Sequence, residues 1–116
     1  MPVLSILDSV SQPQGLPIKK SFTVPEGFPN QNLLLVSGSA FTSQNGIQLT
    51  VQVLIGENVV GQLFFEAYTP NTHQAFAPVF LATNLLPAEY TLTLQVPPKA
   101  ATETDENDWF SAALIG

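Results

Sequence analysis

The sequence has no cysteine and no arginine. The first absence excludes disulfides and thiolate metal sites and leaves the compartment open. The second leaves three lysines, Lys19, Lys20 and Lys99, against nine acidic residues, for a net charge of −6. Neutralising phosphates takes Lys and Arg, so this balance excludes nucleic acid and anionic membrane surfaces as partners. Charged residues of both signs make up only 10% of the chain against an ordinary ~25%, while 45% is apolar. So little charge does not keep the whole surface of a small monomer wet, and an oligomer is expected.

Long apolar runs are also missing. Nothing approaches the ~20 consecutive apolar residues of a membrane helix, so no membrane insertion is expected. The opening Met1-Pro2-Val3-Leu4-Ser5-Ile6-Leu7-Asp8 lacks a basic start and is broken by Ser5 and Asp8. It is no conventional signal peptide, and the chain reads as soluble, cytoplasmic or exported by another route. Histidine is reduced to one residue, His73. With no second histidine and no cysteine, a nucleophilic triad or an intrachain zinc site is not expected. The simplest reading of a loop histidine is a solvated one.

What is present is strand patterning. The 116 residues suit one domain spanning 1–116. Apolar residues alternate or run in short blocks, punctuated by Gly, Pro and Asn, as in a sandwich or jelly roll. Strands are expected at 3–8, 18–24, 32–41, 47–55, 59–68, 75–83, 89–96 and 109–115. Turns are expected at 25–30, at Asn45-Gly46 and at 56–58. Gly38 marks a bulge or a close backbone approach, and Pro78 an unpaired stretch. Strands 47–55, 59–68 and 89–96 have one wet face. Strands 32–41, 75–83 and 109–115 are apolar on both.

A two-sheet antiparallel jelly roll of about eight to ten strands puts those three dry strands in one sheet. The apolar face left over after the core is filled is then an interface. Leu34, Phe76, Phe80, Trp109, Ser111, Ala113 and Ile115 are expected on it.

The hairpin Val53-Leu54-Ile55-Gly56-Glu57-Asn58-Val59-Val60-Gly61, the stretch Leu86-Pro87-Ala88-Glu89-Tyr90-Thr91-Leu92-Thr93-Leu94 and the closing Asp105-Glu106-Asn107-Asp108-Trp109-Phe110-Ser111 together resemble the TNF-like and C1q-like jelly rolls. The resemblance implies a trimer with the last strand at its core. Met1-Pro2-Val3-Leu4-Ser5 and the terminal apolar strand are similar, more narrowly, to bacterial TNF-like lectin domains that bind fucosylated glycans. That likeness implies a sugar held between subunits, without metal, by arginines, a histidine, hydroxyls and tyrosines. What carries over is Tyr68 and the loop Asn71, Thr72, His73 and Gln74. The arginines have no counterpart, and Thr104 and Asp105 stand where a histidine would precede the last strand.

Glu103, Asp105, Glu106 and Asp108 offer oxygen ligands, but not at the spacing of a calcium loop, so they read as a solvated acidic turn. No catalytic residue, cofactor or metal is expected. The expected function is a non-catalytic, carbohydrate-binding homotrimer. The alternative is a structural or protein-interaction trimerisation module of a bacterial or phage assembly, with no small-molecule ligand.

Overall fold

The computed structural model describes residues 2–44, 46–67 and 69–116, with Phe65 described by its backbone alone. Asn45 of the expected turn and Tyr68 of the expected site lie outside the described residues. Among those residues the chain forms nine strands: β1 (Val3–Val10), β2 (Ile18–Val24), β3 (Leu33–Ala40), β4 (Ile47–Ile55), β5 (Asn58–Ala67), β6 (Gln74–Ala75), β7 (Val79–Ala82), β8 (Ala88–Gln95) and β9 (Phe110–Ile115). No helix among them is long and apolar enough to cross a membrane.

All pairing between these strands is antiparallel, in two sheets. One runs β1-β9-β3, with β6 and β7 both on the far edge of β3; the other runs β2-β8-β4-β5. This is a jelly roll, with the consecutive strands β4 and β5 forming a hairpin inside the second sheet. The wet strands β4, β5 and β8 share that sheet, and the dry strands β3, β6, β7 and β9 share the first, as their patterning predicts. Pro78 has no amide hydrogen to donate, and the expected strand 75–83 is divided there into β6 and β7.

The core lies between the sheets. Leu49, Val51, Val53, Leu63, Leu92 and Leu94 meet Leu34, Val36, Phe110, Ala112 and Leu114 there. Alternation along β4, β8 and β9 sends every second residue inward, which is why their patterns read so directly.

Two residues expected at the interface are instead in the core: Leu34 is fully buried, and Phe76 is 2% exposed. In β3 the run Leu33-Leu34-Leu35-Val36 is apolar on both faces, so parity is not readable from sequence, and a shift of one residue inverts it. Leu33 and Leu35 face outward. In 75–83 the break at Pro78 resets the phase, so Phe76 and Phe80 point to opposite sides.

The outer face of the first sheet is apolar along two cross-strand rows. Phe80, Leu35, Ala113 and Ser5 form one, and Ala82, Leu33, Ile115 and Val3 the other. Phe80 is 61% exposed and Val3 63%. Ser37 and Ser111 pair beside them, and the Ser111 hydroxyl accepts the Ser9 amide at 2.9 Å.

Candidate functional site

The expected loop 71–74 and the expected acidic turn are one structure. The loop leads into β6, which pairs with the end of β3 through Ser39↔Ala75 and Ala40↔Gln74. The Asn71 amide donates to the Thr42 carbonyl at 2.7 Å, fixing the other end of the loop. Asn71 adopts a φ of +59°, a left-handed conformation that asparagine tolerates better than most residues. Asn71 and Thr72 are exposed, and Gln74 is half-buried.

The 97–108 segment crosses the same end of the sandwich. The Thr102 hydroxyl donates to the Thr50 carbonyl at 2.9 Å and accepts the Thr50 amide at 2.8 Å, which ties the segment to β4. Glu103 and Phe41 exchange backbone hydrogen bonds of 3.0 and 2.8 Å just beyond β3. The Thr104 hydroxyl accepts the Leu16 amide at 2.8 Å. These anchors deliver the turn 105–108 to the side of His73.

Asp108 is the centre of the cluster and is fully buried. Its Oδ1 accepts the Ser39 hydroxyl at 2.8 Å and lies 2.9 Å from His73 Nδ1, and its Oδ2 accepts the Asp105 amide at 3.0 Å. Both oxygens of this carboxylate are thus hydrogen-bonded where water does not reach them. Asp105 Oδ1 accepts the Asn107 amide at 2.8 Å, and its Oδ2 lies 3.8 Å from His73 Nε2. The imidazole also rests on the Phe41 ring, with centroids 4.3 Å apart. The hydrogen bond to Asp108 raises the His73 pKa above its ordinary 6.5; partial burial opposes this, and the charges of Asp108 and Asp105 add to it.

Two expectations are therefore corrected. His73 is not a free solvated side chain, because it is docked on two carboxylates and an aromatic ring. Nor is the acidic turn wholly solvated: Glu103 and Glu106 are exposed, but Asp108 is buried.

Ser39, His73 and Asp108 have the composition of a hydrolytic triad but not its wiring. A nucleophilic serine gives its proton to the imidazole, whereas Ser39 donates to Asp108. Ser39 is also buried, and its oxygen accepts the Trp109 amide at 3.2 Å. The trio holds the turn against β3.

Sequence reasoning identified His73 and Asp108 one at a time and missed their pairing and the part played by Ser39. No local signal links them; they meet only once β3, β6 and β9 are side by side. Of the interface set, Phe80, Trp109, Ser111, Ala113 and Ile115 lie on the outer side of the first sheet or at its edge, and Trp109 adjoins the His73 cluster through Asp108.

No family model matches the chain, and no curated protein matches it either. Solved structures do. The CBM36-1 domain of a multidomain xylanase from the hindgut metagenome of Trinervitermes trinervoides is similar at a TM-score of 0.51 and 11% identity, over 99% of this chain and 96% of that one. A carbohydrate-binding module CBM36 in complex with calcium and xylotriose is similar at a TM-score of 0.41 and 17% identity, over 99% of this chain and 98% of that one. The first of these likenesses shows a shared β-sandwich fold.

Proposed function

We propose that the chain is a non-catalytic, carbohydrate-binding jelly-roll domain that works as a TNF-like homotrimer. The apolar outer faces of the β1-β9-β3-β7 sheets turn toward the threefold axis, and the glycan lies in the groove between neighbouring subunits. The residues assigned to that groove are Asn71, Thr72, His73 and Gln74, with Tyr68 assigned from the sequence alone.

One observation carries this reading: the outward apolar face and the anchored polar loop belong to the same sheet, the face crossing β3 at Leu33 and Leu35 and the loop entering β6 beside Ala40 at the other end of that strand. Phe80, Leu33, Ile115 and Val3 form a face too apolar to leave wet on a chain that is only 10% charged. The 71–74 loop and Trp109 border the same sheet. Assembly through the face therefore puts the loop at a subunit boundary, where hydroxyl, amide and imidazole groups suit the hydroxyls of a sugar. The same fold serves as a domain of a xylanase, which favours a glycan over other small ligands.

Light scattering over a dilution series, followed by a glycan array, tests the reading. The expected results are three chains per particle and array binding that Tyr68→Ala and Asn71→Ala remove. A monomer overturns the trimer. A trimer silent across a broad array overturns the lectin and leaves a structural trimerisation module.

A further inference from the structure

We propose that His73 Nε2 and Asp105 Oδ2 form a binding site for a divalent transition-metal cation of the Zn²⁺ class, with buried Asp108 as the carboxylate that aims the imidazole. The inference is independent of glycan binding.

The argument begins with which atoms are already committed. Asp108 has both oxygens occupied, by the Ser39 hydroxyl and His73 Nδ1 on one and the Asp105 amide on the other. It orients and does not ligate. When His73 Nδ1 carries the proton given to Asp108, the lone pair of the neutral ring is on Nε2. This carboxylate–imidazole pairing is the arrangement that fixes tautomer and ring angle behind metal-bound histidines and makes the ligand nitrogen more basic. Asp105 is set in a comparable way, since Asn107 holds its Oδ1 and leaves Oδ2 to face the ring.

The spacing of the two remaining atoms then decides what fits. They are 3.8 Å apart, too far for a hydrogen bond. Zinc takes imidazole nitrogen and carboxylate oxygen at about 2.0–2.2 Å, which separates two tetrahedral ligands by roughly 3.4 Å. A closure of a few tenths of an ångström would therefore seat the ion. Calcium wants about six to eight oxygens, and this gap offers one oxygen and one nitrogen. The softer, nitrogen-accepting class is the better match.

Access and charge are also favourable. The His73 and Asp105 side chains are 32% and 34% exposed, so an ion can enter and keep water or an outside donor in its open positions. The exposed Glu106 and the net charge of −6 draw cations toward the turn. With half the ligands of a structural zinc site, the dissociation constant is expected on the order of 1–100 µM.

The test is calorimetric titration of the metal-stripped full chain with ZnCl₂ at pH 7.5, with a thermal scan before and after EDTA. The expected result is one ion per chain in that range and a higher Tm that EDTA reverses. Asp105→Asn keeps the oxygen that caps Asn107, and with His73→Gln it is expected to weaken uptake at least tenfold while the near-UV spectrum stays native. Histidine ¹⁵N shifts are expected to move at Nε2 and not at Nδ1. No uptake up to 1 mM, or equal uptake in both variants, overturns the proposal. Because no sugar is present, its failure leaves the lectin reading untouched, and failure of the array leaves the metal site untouched.

Discussion

His73 and Asp108 are 35 residues apart in the chain and 2.9 Å apart in the structure, and the carboxylate that receives the imidazole is fully buried. This single contact fastens the 71–74 loop to the turn that leads into β9. The surroundings of the first sheet depend on it, because the same oxygen also takes the Ser39 hydroxyl from β3.

Removing that carboxylate strands its donors. Asp108→Ala leaves the buried Ser39 hydroxyl and the part-buried Asp105 amide without their acceptor, and an expected cost of about 3 kcal/mol follows. Glu106→Ala, on the exposed part of the same turn, is expected to change stability by less than about 0.5 kcal/mol. Urea unfolding of the two variants checks the contrast. Equal, small effects from both would mean that the buried network does not hold the turn.

The outer face gives a prediction of another kind. Phe80 is 61% exposed in the single chain, so Phe80→Glu creates no buried charge there and is expected to leave the monomer's fold intact. In the proposed trimer the same change puts three carboxylates into an apolar contact, and dissociation is expected. Light scattering reads the mass directly. The Tm of the parent is expected to rise with protein concentration and that of Phe80→Glu to stay constant. An unchanged mass for the variant would remove Phe80 from the interface.

Most of the fold is legible in the sequence, because β4, β5 and β8 have one wet face and alternation does the rest. The dry strands disclosed their shared sheet but not their parity. Leu34 and Phe76 therefore face inward against the expectation, one for want of a polar residue to mark the phase and the other because Pro78 resets it. The candidate site was legible only as separate residues. Asp108 looks like any acid in a polar turn until Ser39 and His73 reach it from β3 and from the loop before β6. Long-range hydrogen bonds of this kind have no periodicity to betray them.

Asn32 is a second case that no local pattern shows. It is buried, and its amide nitrogen donates to the carbonyls of Pro29 and Leu85 at 2.8 and 2.9 Å. Its oxygen accepts the Thr83 hydroxyl at 2.7 Å and the Leu85 amide at 2.9 Å. All four hydrogen-bonding positions are filled, tying the 25–32 loop to the turn after β7. Asn32→Ala is expected to cost about 2–4 kcal/mol in urea unfolding, and Thr83→Val, which loses one donor, about 1 kcal/mol. A smaller loss for Asn32→Ala than for Thr83→Val would contradict this network.

Gly38 is where the close approach expected of a strand glycine is met by a side chain. A Cβ on Gly38 would run into the ring of Phe110 and lie 3.0 Å from the Trp109 carbonyl oxygen. Phe110 is the largest fully buried side chain among the described residues, packed in the core on β9, so it has nowhere to retreat. Gly38→Ala is therefore expected to destabilise by about 1–3 kcal/mol through overpacking. Phe110→Leu alone is expected to cost a comparable amount by leaving a cavity. Combined, the two are expected to cost less than their sum by about 1 kcal/mol, because the smaller side chain vacates the space the methyl needs. Thermal or urea unfolding of the four proteins completes the cycle. Strict additivity would mean that the strain of Gly38→Ala lies in the backbone beside Trp109 and not against the Phe110 ring.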